Sequence, residues 1–237
     1  MTHLIETHDL VIERDGTRVL DGVTMHLDKG EKLAIIGSNG AGKTTFLRAL
    51  IGLQKISSGR IHAFGQDRRV EKDFHDVRLR AAYLFQDADD QLFCPSVVED
   101  VAFGPLNQGL SEEDAMDKAR ATLARLGLSA LAPRVTRKLS GGEKRLVCLA
   151  AILAMDPDVL LLDEPTNSLD SQHVEKLVEI LKNLDIALIM VSHDRPVLDR
   201  IATRALLMKD GRLEHAVLHR HPHMHEHVHI HADHDHA

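Results

Sequence analysis

The segment Gly37-Ser38-Asn39-Gly40-Ala41-Gly42-Lys43-Thr44-Thr45 constrains the fold more than any other part of this 237-residue chain. Residues 37–44 fit the pattern G-x-x-x-x-G-K-[ST] without a mismatch. The apolar run Leu33-Ala34-Ile35-Ile36 precedes it and Phe46-Leu47-Arg48-Ala49-Leu50 follows, so the context is strand, loop, helix. Glycines let successive backbone N–H groups turn inward around phosphate oxygens, and the start of the following helix adds positive potential. Lys43 is then placed to reach the β- and γ-phosphates of a nucleotide, and the Thr44 hydroxyl to ligate Mg²⁺.

A second segment, Leu160-Leu161-Leu162-Asp163-Glu164, ends a buried strand in two acids. Asp163 suits the water shell of Mg²⁺, and Glu164 can polarise an attacking water. Phosphoryl transfer needs positioning and charge stabilisation more than covalent help, which accounts for these residue types.

Between the two segments Leu139-Ser140-Gly141-Gly142-Glu143 opens a helix. With that pentapeptide the chain resembles the nucleotide-binding subunits of ATP-binding-cassette (ABC) transporters, over roughly residues 1–211. The resemblance takes in Gln86 after Ala81–Phe85, Ser168-Leu169-Asp170 after the acidic strand, and His193 after Ala187–Val191. It implies ATP and Mg²⁺ as ligands, with Gly37 to Thr45 holding the nucleotide and Thr44, Asp163 and Gln86 around the metal. It further implies Glu164 as the catalytic carboxylate, His193 as a switch at the γ-phosphate, and Gln86 as the sensor coupled to the helical part. Gln91 is a rival for the last role, but the strand-end position favours Gln86. Ser140, Gly141 and Gly142 are implied to bind the nucleotide of a second subunit, so the functional unit is a head-to-tail dimer. This chain carries both halves of the composite site and suits a homodimer. Asp170 is implied to communicate across that dimer, and it equally suits the cap of its own helix. One departure concerns the base. The family places an aromatic residue in the first hairpin, whereas here the neighbourhood is Glu13-Arg14-Asp15-Gly16, leaving the Arg14 guanidinium to stack on adenine or simply to be solvated.

Residues 4–12 and 19–27 alternate apolar and polar around Asp15-Gly16 and predict an antiparallel hairpin. Gly59–Gly65 is expected as a further edge strand. Leu33–Ile36, Ala81–Phe85, Val159–Asp163 and Ala187–Ser192 are short apolar runs, as in strands buried on both faces. Ala205–Met208 and Arg212-Leu213 flank the hairpin turn Lys209-Asp210-Gly211. Helices are predicted from Ser111-Glu112-Glu113-Asp114 to Gly127, from Gly141 to Ala154, and from Gln172 to Asn183 behind Asp170. The expected fold is α/β: a phosphate-loop NTPase core of the ABC ATPase type, with an antiparallel β subdomain and an inserted α-helical subdomain at about 87–150. The ATPase domain is expected over 1–211, followed by a histidine-rich tail over 212–237.

With 29 Lys and Arg against 36 Asp and Glu, the net charge is -7, and nucleic acid is not an expected partner. Cys94 and Cys148 form no metal-binding or disulfide framework and read as packing residues. The most apolar run, Leu146–Met155, is about half the ~20 residues of a spanning helix. Met1–Asp9 is too polar for a signal peptide. Any transport path is therefore expected in separate membrane subunits, with this chain peripheral on the cytoplasmic face.

The segment from Asp89 to Asn107 resembles the ATPases of energy-coupling factor importers, which take up vitamins or transition metals, and most of all the cobalt/nickel type. Leu92, Phe93, Val97, Val101 and Phe103 within it also read as ordinary core packing. Ten of the 17 histidines lie between His215 and His236. His219, His221, His223, His225, His227, His229 and His231 recur at every second position, interspersed with Pro222, Met224 and Glu226, unlike the unbroken run of a cloning tag. Neutral imidazoles suit Ni²⁺ and Co²⁺. The resulting expectation is an ATPase subunit of a cobalt or nickel importer. Its rivals are a vitamin importer ATPase, a non-transport ABC ATPase, for which paired cassettes or a long coiled-coil insertion are lacking, and a metal-storage protein.

Overall fold

The computed structural model describes residues 3–216. The tail histidines 219–231 lie outside the described residues. The chain runs β1 (Ile5–Arg14), β2 (Thr17–Leu27), β3 (Lys32–Ile36), α1 (Lys43–Leu50), β4 (Ser58–Ala63), β5 (Gln66–Arg68), α2 (His75–Arg80) and β6 (Ala81–Leu84). It continues with α3 (Val97–Asn107), α4 (Glu112–Arg125), α5 (Gly141–Leu153), β7 (Val159–Asp163), α6 (Ser171–Asn183), β8 (Ala187–Val191), α7 (Arg195–Ile201), β9 (Arg204–Lys209) and β10 (Arg212–Ala216).

Two sheets form. One is antiparallel with order β2-β1-β4-β5, and the other has order β10-β9-β3-β8-β7-β6, parallel from β9 to β6. The β1–β2 turn places both Asp15 and Gly16 at positive φ, 50° and 75°. That is the backbone twist a two-residue hairpin requires, and an Asp-Gly pair adopts it readily. The segment expected as an edge strand is instead internal: β4 pairs with β1 on one side and β5 on the other. Three residues were too short a run to announce β5 by alternation. The expected boundary at 211/212 falls inside the β9–β10 hairpin, where Arg212 to Ala216 pair with Lys209 to Ala205.

Strand alternation divides the core in two. Leu160, Leu162, Leu188 and Met190 face a cluster that includes residues of α3 to α7. Val159, Leu161, Ile189 and Val191 face a second cluster shared with α1, α2 and the antiparallel sheet. Since side chains repeat every second residue, Asp163 continues the Val159–Leu161 face. The strand therefore delivers its terminal carboxylate to the side where α1 begins. Between β6 and β7 the described residues form helices and short turns, save one isolated bridge, Ser96 to Val135.

The segment 89–107 splits between core and surface. Val97 and Val101 are fully buried, but Phe93 is 64% and Phe103 42% exposed, and their rings pack edge to face with centroids 4.7 Å apart. The expectation of core packing thus fails for the two phenylalanines: both are exposed, and their rings pack against each other.

Candidate active site

The loop between β3 and α1 owes its shape to contacts that only glycine permits. A Cβ on Gly37 (φ 153°) would lie 2.3 Å from the Met208 carbonyl oxygen, and one on Gly42 (φ 103°) 2.8 Å from a Leu20 methyl. The loop is thus pressed against β9 and β2, with its backbone turned toward the start of α1. The largely buried Lys43 side chain folds back over it. Its ammonium donates to the carbonyls of Gly37 at 2.8 Å and Ser38 at 3.0 Å.

Thr44 and Asp163 meet as the strand alternation requires: the Thr44 hydroxyl donates to Asp163 Oδ1 at 3.1 Å. The Tyr83 hydroxyl donates to Asp163 Oδ2 at 2.8 Å. Burial, and then the neighbouring Asp163 charge, push the Tyr83 phenol well above its ordinary pKa, so it remains a donor. Both oxygens of a fully buried carboxylate are thereby satisfied. A hydroxyl beside a carboxylate is a hard-oxygen donor set, which fits Mg²⁺.

Glu164 follows in the left-handed region, φ 46°, a conformation uncommon for a non-glycine residue. Its N–H donates to the Val191 carbonyl at 2.9 Å, tying the strand end to β8. Its Oε2 lies 3.0 Å from Nδ1 of His193, whose ring is 68% exposed at the mouth of the site. Asn39, Gly40, Lys43, Thr44, Gln86, Asp163, Glu164 and His193 all line one cleft of about 330 Å³, together with Val19 and Asn167.

Gln86 also lines a second cleft, of about 570 Å³, with Gly141, Arg145 and Asn167. Its rival Gln91 is occupied elsewhere, accepting from the Phe85 N–H at 3.3 Å and donating to the Cys148 carbonyl at 3.5 Å. The backbone under Gln86 is held from α5. The buried Arg145 guanidinium donates to the Phe85 carbonyl and, at 2.5 Å, to the Gln86 carbonyl. Arg145→Ala is expected to lower unfolding free energy by about 1.5–3 kcal/mol, the range for hydrogen bonds to a charged group. Arg145→Lys, with a point charge that cannot fork between two carbonyls, should recover only part of it. Urea denaturation of both variants measures this, and equal stability of all three proteins would contradict it.

Ser140, Gly141 and Gly142 do not line the phosphate-loop cleft. Ser140 is the N-cap of α5: its Oγ accepts from the Glu143 N–H at 3.2 Å, while Glu143 Oε2 accepts from the Ser140 N–H at 2.8 Å. A Cβ on Gly142 would lie 2.4 Å from the His173 ring, so α5 begins tightly against α6. Asp170 caps α6 through the His173 N–H at 2.9 Å, and that bond holds its carboxyl below the usual range. Arg14 lies at the exposed hairpin tip, paired only with Asp15 at 3.9 Å. It does not line the cleft; from that hairpin Val19 does. Burial raises the Cys94 and Cys148 thiols to about 11 and about 12, which keeps them protonated at neutral pH.

Three residues of this neighbourhood escaped sequence reasoning. Tyr83 is concealed in an apolar run, although as the chain's one tyrosine it was a visible exception there. Arg145 is a cation in an otherwise apolar helix stretch, which was the available signal. Asn167 carried none.

Residues 20–167 match the ABC transporter family. The chain is 54% identical over 221 residues to a Brucella suis biovar 1 protein whose name gives an ABC transporter ATP-binding role without a substrate, covering 93% of this chain and 92% of that one. It is 45% identical over 205 residues to the cobalt import ATP-binding protein CbiO of Rhodobacter capsulatus, covering 84% of this chain and 72% of that protein. Among solved structures it is similar to CbiO1 of Clostridium perfringens, part of the ABC transporter complex CbiONQ. That likeness has a TM-score of 0.81 and 36% identity, and covers 90% of this chain and 88% of the other.

Proposed function

Because the chain belongs to the ABC transporter family and is an ATP-hydrolysing subunit of a transporter, we propose that it energises import of cobalt or nickel ions through the membrane subunits of an energy-coupling factor transporter. The observation that carries this choice is the 45% identity to a cobalt import ATPase. The exposed Phe93–Phe103 pair supports it, since an uncovered apolar projection marks a contact surface. It lies in the segment that resembles importer ATPases, just beyond Gln86, and is the surface we assign to membrane subunits. Among the described residues no helix is long and apolar enough to cross a membrane. By its likeness to importer ATPases we place the chain on the cytoplasmic face, with the path for the ion in its partners.

We assign the cleft as follows. Gly37 to Thr45 hold the ATP phosphates, Lys43 exchanging its two loop carbonyls for phosphate oxygens. Thr44 and Asp163 hold Mg²⁺, with Gln86 beside it; when bound, Mg²⁺ neutralises charge on the phosphate oxygens. Glu164 takes the proton of the attacking water, and His193, hydrogen-bonded to Glu164, orients it and contacts the γ-phosphate. Ser140, Gly141 and Gly142 serve the nucleotide of the opposite subunit in a head-to-tail homodimer. Their absence from the wall of the phosphate-loop cleft and the exposure of Ser140 and Gly141 at the start of α5 support this. Asp170, at the start of α6, carries the signal between subunits. Gln86, shared by two clefts and gripped by Arg145, couples the phosphate site to the helical region, about 87–150. The alternate imidazoles of 219–231 are assigned to Ni²⁺ or Co²⁺ held near the importer.

Uptake assays test the substrate. Cells expressing this chain with the membrane proteins that co-purify with it should accumulate labelled Co²⁺ or Ni²⁺ only when ATP hydrolysis is intact. Accumulation of a vitamin instead, or co-purification with no membrane protein, would sink the reading.

A further inference from the structure

We propose that His3, His26 and Asp28 form a binding site for one divalent transition-metal ion of borderline softness, of the Zn²⁺, Ni²⁺ or Co²⁺ class. One ligand atom from each lies within 4.8 Å of the other two, the one such group of three among the described residues. His3 Nδ1 is 2.5 Å from Asp28 Oδ1, and the His3 and His26 rings are 4.4 Å apart, tilted by 36°. A tetrahedral ion with bonds of about 2.0–2.2 Å needs its ligands about 3.3–3.5 Å apart. The ligand atoms, all within 4.8 Å of one another, are close enough for modest side-chain adjustment to bring them around one ion.

The fold sets this convergence. His26 and Asp28 flank the buried Leu27, so they project to one side at the end of β2. The Leu4 N–H donates to the Leu27 carbonyl at 2.8 Å, which brings His3 alongside them. The Arg204 guanidinium donates to the His26 carbonyl at 2.5 Å and fixes that backbone. The same guanidinium is paired with Glu31 at 2.5 Å, which offsets its charge toward a cation.

His3 and His26 open on a cavity of about 380 Å³ beside β2 and β10, whose wall also carries Glu6, His8, Arg204, Glu214 and His215. The two carboxylates on that wall attract an incoming cation, and water can take its fourth position. Two imidazoles with one carboxylate also discriminate. Ca²⁺ and Mg²⁺ favour all-oxygen sites, whereas imidazole suits the later first-row metals. A simple His3–Asp28 ion pair would account for the short contact but not for the second histidine or the histidine-lined cavity. This site shares no residue with the phosphate-loop cleft, and its occupancy does not depend on which substrate the transporter carries.

Full-length protein with the nine tail histidines from His219 to His236 changed to asparagine removes the competing imidazoles. Titrated with Co²⁺, it is expected to bind one ion per chain and to show the visible absorption of a tetrahedral complex. In that background His26→Ala and Asp28→Asn should each weaken Co²⁺ binding at least about tenfold. Thermal stability in metal-free buffer and basal ATPase should be unchanged. Asp28→Asn preserves shape, so it decides the matter if His26→Ala folds poorly. Unchanged Co²⁺ affinity in Asp28→Asn, or Co²⁺ binding confined to proteins that keep the tail histidines, would overturn the site and leave only a His3–Asp28 ion pair.

Discussion

Replacing Glu164 with glutamine is expected to lower ATP hydrolysis by about 10²–10⁴-fold, the usual contribution of a general base, while Mg-ATP still binds. Glutamine preserves the shape of the side chain and can still meet His193 Nδ1, now 3.0 Å from the Glu164 carboxylate. What it loses is the capacity to take a proton from water. Without turnover, a nucleotide that bridges two subunits is not consumed, so the variant should run as a dimer on sizing columns in Mg-ATP and as a monomer without it. Steady-state hydrolysis and sizing together check this. Turnover within a few-fold of the natural protein would transfer the role from Glu164 to another group.

The second large effect is expected from Ser140→Arg. A bulky cation at the start of α5 should obstruct the opposite subunit's γ-phosphate, lowering hydrolysis by about 10²-fold, comparable to losing one preorganised contact to a developing anion. ATP binding to the separate subunit should persist, because Ser140 does not line that subunit's own cleft. Ser140 also caps α5, and its removal costs about 1 kcal/mol of stability. Ser140→Ala therefore isolates the capping loss from the steric one and should keep more activity. In mixed dimers, Ser140→Arg and Lys43→Ala on the same chain should damage both composite sites, one through each change, whereas on opposite chains they should fall in one shared site and leave the other intact. Indistinguishable cis and trans mixtures would rule out the head-to-tail arrangement.

The parts of the fold and site that were legible in advance are those where local chemistry and backbone geometry coincide. Gly37 and Gly42 appear in the sequence as glycines because a Cβ there would strike Met208 or Leu20. Asp163 terminates a run whose alternation already aims it at α1. Ser111, Ser140 and Asp170 are short polar side chains at helix starts, and each does cap its helix. What escaped depends on pairings between distant segments. β5 is a strand only because Ile61 to Ala63 lie beside it. Phe93 and Phe103 have the composition of core residues, and only the packing of α3 reveals that they face outward. Arg145 reads as one more charge until the chain brings the Gln86 carbonyl to it.

The hydrogen bond between Tyr83 and Asp163 has an optical consequence. The chain has one tyrosine and no tryptophan, so its near-ultraviolet emission comes from a single phenol with no brighter indole to mask it. That phenol is 2.8 Å from an oxygen of the carboxylate assigned to the metal. Proton transfer toward such an acceptor in the excited state quenches a phenol, and drawing the carboxylate toward a cation relieves the quenching. The unlabelled protein thus contains a fluorescent reporter buried behind the candidate cleft, and its brightness is expected to change when the Asp163 carboxylate takes up a cation.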